Sequence, residues 1–390
     1  MYKIRTYNQL SSKGLDRFPR ENYEIASEFS QPDAFMLRSH KLHGAEIPQS
    51  LVAIARAGAG VNNIPVADYS EKGVVVFNTP GANANAVKEL VAASLLLGSR
   101  DIIGGINYAQ SLTDMSDAGE MSKLLEKEKK RFAGSELQGK TLGVVGLGAI
   151  GAHVANMALE LGMNVLGYDP AISVEAAWQL SSSISKMDNL QSLLARSDFV
   201  TLHVPAIEAT RHMINAEALR CFKPEAKLLN FAREEIVDTN ALVSALNDKQ
   251  LAGYIADFPT PQLLGRNDVI LTPHIGASTR EAEENCAMMA ADQLMEFLEN
   301  GNIKNSVNFP PIAMARSKGY RLTFSNDNVP KVLGNVLSIL ADSNNNVLDL
   351  LNKSRNDIAY NIIDVEDRPS AEIVDAIATV EGVIRVRVLG

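Results

Sequence analysis

The chain has 390 residues, 46% hydrophobic and 21% charged, ordinary globular usage that excludes a disordered, collagen-like or coiled-coil chain. At roughly 150 residues per domain this length predicts two or three domains, each large enough to bury its own core. A net charge of −9 with no long basic block is a poor match to a phosphate backbone, so nucleic acid is not expected as a partner. Two cysteines, Cys221 and Cys286, read as buried thiols in a reducing compartment and not as a disulfide framework. The six histidines show no paired spacing with cysteine, and no metal site is expected. The charged N-terminus has no apolar run behind it, and the longest apolar stretch, 90–98, is too short to span a bilayer. These features predict a cytoplasmic protein without a membrane partner.

In chain order, the apolar runs 34–37, 51–54 and 74–77 predict strands, each closed by a polar or Gly/Pro turn. Continuous apolar runs suit a parallel sheet covered on both faces. A helix is predicted over 85–100, and an exposed lysine-rich helix over 121–132. A second unit begins at Thr141, with strands expected at 142–145, 164–168, 199–203, 227–231, 253–256 and 269–271. Helices are expected between them, over 152–161, 190–195 and 239–248. This alternation predicts a doubly wound sheet. The long helix over 279–300 is expected to return the chain to the first unit, making that unit discontinuous. After the stiff connector Asn308-Phe309-Pro310-Pro311, strands at 320–324, 347–353, 358–365 and 383–388 alternate with helices at 329–342 and 369–380. That βαββαβ order is the ferredoxin-like split βαβ. The expected fold is therefore α/β, with two doubly wound Rossmann-like domains and a C-terminal ferredoxin-like module. The boundaries are 1–97 with 283–312, 98–282, and 318–390.

The strongest local signal is Thr141-Leu-Gly-Val-Val-Gly146-Leu-Gly148-Ala-Ile-Gly151, a buried strand running into a G-x-G-x-x-G turn and then a helix. Gly146 permits the tight turn, Gly148 lets a pyrophosphate approach the backbone, and Gly151 lets helix and strand pack closely. The helix N-terminus offers free amides and a partial positive charge. The next strand ends at Asp169, about 20 residues on, where a carboxylate accepts hydrogen bonds from a ribose. A carboxylate there repels a 2′-phosphate, so NAD is expected over NADP. The bland reading of Asp169 is a turn cap before Pro170.

Hydride transfer from a hydroxy acid needs a cation for the carboxylate, a base for the hydroxyl proton, and a group that orients the base. In an open α/β sheet these lie at carboxyl ends of strands. Arg233, Asp257, His274 and His203 all follow expected strands.

The glycine run, Val200-Thr-Leu-His203-Val-Pro205, Asn230-Phe-Ala-Arg233 with Val237-Asp238, and Thr272-Pro-His274-Ile-Gly-Ala-Ser-Thr279 resemble the D-isomer-specific 2-hydroxyacid dehydrogenases. So do Arg56-Ala-Gly58-Ala-Gly60-Val-Asn-Asn63-Ile64 and Asn78-Thr-Pro-Gly. The C-terminal module resembles an ACT domain, with Asn326-Asp-Asn328-Val-Pro330 at its first strand–helix turn. The resemblance implies that Arg233 holds the substrate carboxylate and that His274 exchanges the hydroxyl proton. It implies that Gly146, Gly148, Ala149, Ile150, Gly151, Asp169, His203, Phe231 and Ala232 line an NAD site, with Asp257 on the nicotinamide amide. Arg38, Ser39, Arg56 and Asn83 are implied to face the substrate, and Lys129, Lys130 and Arg131 to bring a cation to its phosphate. The implied reaction is oxidation of 3-phosphoglycerate to 3-phosphohydroxypyruvate. Asn326, Asn328 and Asn346 are implied effector contacts, with L-serine as the effector and a homotetramer or homodimer as the assembly.

Two departures stand out. The family's Glu-Pro, whose glutamate pairs with the histidine, is absent from Asp257-Phe-Pro-Thr-Pro261-Gln262-Leu-Leu-Gly265, which leaves Gln262, Glu234, Glu235 or Asp257 as replacements. Glu234 also stands where the family has Gly. Other readings are a dehydrogenase of glyoxylate or another unphosphorylated 2-oxoacid, and a non-catalytic sensor of NAD and an amino acid.

Overall fold

Short buried runs build the first sheet from β1 (Tyr2–Thr6), β2 (Tyr23–Ala26), β3 (Ala34–Leu37), β4 (Ala53–Arg56) and β5 (Val75–Phe77). Its strands are all parallel, in the order β2-β1-β3-β4-β5. Every residue of β3 and β5 is buried, which is why they read as continuous apolar runs. β1 and β2 bury only Ile4 and Tyr23 and give no such run, so the sequence does not announce them. The strand expected at 51–54 is displaced to β4, with Leu51 buried just before it. The helix Arg280–Asn300 covers this sheet with Cys286, Ala287, Ala290, Ala291, Leu294, Phe297 and Leu298, a helical spacing on one face.

A computed structural model describes all 390 residues apart from the side chain of Glu175. The chain divides into Met1–Asn83 with Arg280–Gly390, and Ala84–Thr279. The helix Ala84–Ser99 thus belongs to the second unit, and the division falls at Asn83, ahead of the expected residue 97. Gly98 shows why. A Cβ there would lie 2.8 Å from Ile255 Cδ1, so this helix end rests closely on the second sheet.

That sheet comprises β6 (Thr141–Val145), β7 (Asn164–Tyr168), β8 (Ser185–Lys186), β9 (Phe199–Leu202), β10 (Lys227–Asn230), β11 (Gly253–Ala256) and β12 (Val269–Leu271). It is parallel throughout, in the order β12-β11-β10-β9-β6-β7-β8. The order reverses beside β6, and it is outside the carboxyl ends at such a reversal that α/β sheets bind ligands.

The C-terminal module has β13 (Tyr320–Asp327), β14 (Val347–Arg355), β15 (Ile358–Val365) and β16 (Val383–Leu389), antiparallel in the order β14-β15-β13-β16. Helices Val332–Asp342 and Ala371–Ala378 complete the βαββαβ order and cover one face. The other face packs, within the same unit, on the core of the first sheet and the long helix, which Tyr360 and Ile362 join. The end of the Arg280–Asn300 helix is capped here. Arg387 donates to the carbonyls of Phe297 (3.3 Å) and Leu298 (3.0 Å), Arg316 to Glu299 (3.0 Å), and Arg321 to Asn300 (3.0 Å). The Tyr360 hydroxyl donates to Gly301 O at 3.0 Å. The carbonyls of Leu298, Glu299 and Asn300 are among the last of the helix and have no partner inside it, whereas Phe297 O also accepts from Gly301 N at 2.9 Å. Arg321 is fully buried and also donates to Asp364 at 2.7 and 2.9 Å, Met314 O at 2.9 Å and Ala315 O at 2.8 Å. The connector is stitched down as well. Asn308 Oδ1 accepts from Val76 N at 2.9 Å, while Nδ2 donates to Val74 O at 2.9 Å.

Candidate active site

Six turns of the second unit gather at the carboxyl edge of its sheet. They carry Gly146 after β6, Asp169 after β7, His203 after β9, Arg233 after β10, Asp257 after β11 and His274 after β12. Neighbouring parallel strands lie about 4.8 Å apart, so the last three residues follow one another across adjacent strands.

The glycine turn has the shape of a phosphate cradle. Gly146 has φ +89° and its Cβ position lies 2.6 Å from His203 O; Gly151's lies 1.9 Å from Gly146 O. Neither position admits a side chain. Gly148 caps the helix Ala149–Glu160, and nothing lies within 4 Å of its Cβ position. That open space borders the unpaired amides of the helix start, at Ala149, Ile150 and Gly151, and fits a pyrophosphate. Asp169 accepts from Leu147 N at 2.8 Å and from Ala171 N at 2.9 Å. The turn-cap reading of Asp169 is therefore real, and the same bonds hold the acid beside the glycine turn.

His203 Nε2 shares a 2.9 Å hydrogen bond with Thr201 Oγ1, while Nδ1 is buried without a partner among the described residues. Burial lowers the imidazole pKa to about 3, so the ring is neutral. Phe231 and Ala232 are buried beneath the Arg233 turn. Asn230, which the sequence reading left without a role, fixes that turn. It is fully buried, donates to Arg233 O at 2.8 Å, and accepts from Ala232 N at 3.2 Å. Its signal lay in the quoted Asn-Phe-Ala-Arg run. Arg233 Nη1 donates to Ala232 O at 2.6 Å.

Asp257 differs most from expectation. Its carboxylate is buried and takes three bonds from the His274 loop: Thr272 Oγ1 at 2.6 Å, Ile275 N at 2.8 Å and Gly276 N at 2.6 Å. Both oxygens are therefore engaged within the protein, Oδ2 by a single bond, which leaves it acceptor capacity for the expected nicotinamide contact. His274 itself is exposed, with φ +56°. Among the described residues, none of the expected replacements hydrogen-bonds to its ring. Gln262, Glu234 and Glu235 line a different cleft of about 510 Å³, together with Arg211 and His212.

In the first unit, Arg38 follows β3, Arg56 ends β4, and Asn83 lies beyond β5. Arg38 pairs with Glu283 at 2.6 Å, and Arg56 Nε donates to Arg38 O at 3.1 Å. A Cβ on Gly58 would lie 2.1 Å from Arg56 Nη1, so that glycine leaves room for the guanidinium. Asn83 Oδ1 is buried without a partner among the described residues, and Ser39 is exposed. Lys129 and Arg131 pair with Glu126 (2.5 Å) and Glu128 (2.9 Å) of their own helix, an arrangement that suits a solvated face.

The three asparagines of the C-terminal module do not converge within one chain. Asn326 is buried, accepts from Asn361 Nδ2 at 2.8 Å and donates to Asp327 O at 2.6 Å. Asn328 donates to Asn356 O at 3.0 Å. Asn346 precedes β14 at the opposite end of the sheet, since Val347 pairs with Val365 while Asn326 pairs with Ala359. Both cysteines are free; Cys286 is buried, but Cys221 is only half-buried, contrary to the sequence reading. Among the described residues no three His, Cys, Asp or Glu side chains are grouped to hold a metal, and no helix is long and apolar enough to cross a membrane.

Comparison with known proteins adds a family to this geometry. Residues 106–276 match the D-isomer specific 2-hydroxyacid dehydrogenase, NAD binding domain. The chain is 38% identical over 309 residues to a D-3-phosphoglycerate dehydrogenase of Synechocystis sp., covering 76% of this chain and 53% of that one. It thus spans about half the length of that relative. It is 34% identical over 355 residues to the D-3-phosphoglycerate dehydrogenase of Escherichia coli, covering 87% and 82% of the two chains. The NAD+-bound 3-phosphoglycerate dehydrogenase of Entamoeba histolytica is similar in structure, with a TM-score of 0.61 at 26% identity over 79% of this chain and 98% of that one.

Proposed function

The chain belongs to the D-isomer specific 2-hydroxyacid dehydrogenases, and on that premise we propose that it oxidises 3-phosphoglycerate to 3-phosphohydroxypyruvate with NAD. The observation that carries the reading is the row of turns at one sheet edge, with Arg233, Asp257 and His274 on neighbouring strands beside the glycine cradle. Gly146, Gly148, Ala149, Ile150 and Gly151 hold the pyrophosphate, and Asp169 takes the ribose hydroxyls. When bound, NAD supplies the hydride acceptor. Arg233 binds the substrate carboxylate with its guanidinium fork and polarises the C2 oxygen. His274 takes the hydroxyl proton as the C2–H bond breaks, and returns it in reduction. His203, Phe231 and Ala232 keep the cofactor side of the turn dry. Arg38, Ser39, Arg56 and Asn83 are the substrate contacts of the first unit.

The same reading makes the C-terminal module regulatory, with L-serine as effector. Asn346 lies at the far end of the sheet from Asn326 and Asn328, so a site using all three takes two copies of the chain, as a homodimer or homotetramer supplies. The free thiols suit a cytoplasmic setting.

The test is NADH absorbance with NAD and 3-phosphoglycerate, the product being trapped, against glycerate, 2-hydroxyglutarate and, in reverse, glyoxylate. Turnover confined to the phosphorylated acid is expected, and Arg233→Lys should lose most of it. Turnover on glyoxylate alone moves the substrate. NADH binding without any turnover supports the sensor reading, which the absence of a carboxylate partner on the His274 ring favours.

A further inference from the structure

An acid–base histidine needs its ring held in one orientation, and a carboxylate on the imidazole is one common way to do it. Among the described residues, none hydrogen-bonds to the His274 ring. What surrounds it comes from one dipeptide. The Asp257 carboxylate accepts from Thr272, two residues before His274, and from Ile275 and Gly276, the two residues after it. The Phe258 ring meets the imidazole edge to face, with centroids 5.0 Å apart and planes at 64°. We infer that Asp257 and Phe258 are the positioning residues of His274, the first acting through the loop backbone and the second through the ring face. The inference rests on the dehydrogenase reading above.

Three features support it. Hydrogen bonds to an ionised oxygen at 2.6–2.8 Å are the short, strong kind. They grip the loop on both sides of a residue in the left-handed region, which a side chain rarely adopts. The gripping group is itself anchored, because Asp257 N donates to Asn230 O at 3.2 Å and the side chain is 2% exposed. The approach also needs a glycine. A Cβ at Gly276 would sit 3.0 Å from Asp257 Oδ2. The imidazole is thus steered by the direction of its backbone and by an aromatic wall, and no acid is needed on the ring.

The experiment compares the wild type with Asp257→Asn, Thr272→Val, Phe258→Leu and Phe258→Tyr. The His274 ring proton signal, assigned by its loss in His274→Gln, is followed by NMR. Turnover, its pH profile and NADH affinity by fluorescence are measured alongside. Asp257→Asn puts an amide where an oxygen accepted, so at least one backbone donor loses its partner. Its His274 signal should move and broaden, and kcat should fall by ~100-fold, the scale of a 1 Å misplacement. NADH affinity is read separately, so that loss of a nicotinamide contact is told apart from a misdirected imidazole, which lowers kcat beyond any change in binding. Phe258→Leu should behave similarly and Phe258→Tyr like wild type, because only the second keeps an aromatic edge. If Asp257→Asn does not fold, Thr272→Val and Phe258→Leu decide. An unmoved His274 signal in the variants would overturn the inference, as would weaker NADH binding with unchanged kcat in Asp257→Asn. A wild type without turnover would sink the dehydrogenase reading alone, since the NMR comparison still decides this one.

Discussion

Replacing Arg321 by Met removes a buried charge and keeps most of the apolar stem. All five guanidinium N–H groups are in use, two on Asp364 and three on the carbonyls of Asn300, Met314 and Ala315. The pair is sealed, with side-chain exposures of 0% and 1%. Stranding one member of such a pair costs about 3–5 kcal/mol, and each carbonyl left without a donor adds roughly 1 kcal/mol. The loss should therefore reach ~5 kcal/mol or more, against a usual domain stability of about 5–15 kcal/mol. In calorimetry, the transition of the unit containing the C-terminal module should drop by more than ~10 °C, at about 2–4 °C per kcal/mol for a unit of this size. A pH scan checks the cause. Burial works to raise the Asp364 carboxyl, but hydrogen bonds from Arg321 and Ser317 outweigh it and hold its pKa below the usual value. That stabilisation is present above the unfolded pKa of about 3.9 and is lost as pH falls through the lower folded value. The gap between wild type and Arg321→Met should therefore narrow at acid pH. Adding Asp364→Asn to Arg321→Met should recover part of the loss. A single variant within 1 kcal/mol of wild type, or a double variant no more stable than the single, would refute the reasoning.

Other expectations are independent of it. Gly148→Ala places its Cβ in open space, so the melting temperature should hold while NADH binding weakens by ~10-fold, about 1.4 kcal/mol; unchanged affinity would remove the pyrophosphate from this turn. His203 has a folded pKa lowered to about 3 by burial. Only the unfolded chain takes up this proton below pH ~6.5, so its contribution is fully present above that pH and is lost toward pH 3, by at most ~1.4 kcal/mol per pH unit. A urea-denaturation series from pH 7 to 4 should show this fall, and His203→Gln should flatten it. Asp169→Asn removes the charge that opposes a 2′-phosphate, so the preference for NADH over NADPH should shrink in competition binding; an unaltered ratio would take Asp169 off the ribose.

The repeated strand–helix alternation made most of the fold legible. β7 and β15 fall on their expected spans because each is mostly apolar and ends abruptly at a polar turn. Buried polar chemistry left no such mark. Arg321, within the string Tyr-Arg-Leu-Thr-Phe, reads as an outward arginine on an alternating strand, and Asp364 as its counterpart on β15. Only the pairing of the two strands joins them. The absent glutamate was visible as a gap in a motif. Its physical consequence was not, because Asp257 and Thr272 meet only through the β11–β12 pairing. The asparagines of the C-terminal turn looked equivalent in sequence, yet burial commits Asn326 to Asn361.

The hydrogen bonds that dock the C-terminal module on the long helix run mostly from side chains on one side to main-chain carbonyls on the other. Carbonyls are the same whatever residue bears them. A change of the Glu299 side chain can therefore leave these bonds in place, whereas change at Arg387, Arg321 or Tyr360 cannot. Shortening the helix by one residue would rotate every carbonyl by about 100° and misalign all the donors at once. For this joint, helix length is under tighter constraint than helix composition, and a deletion there should be far more damaging than a substitution.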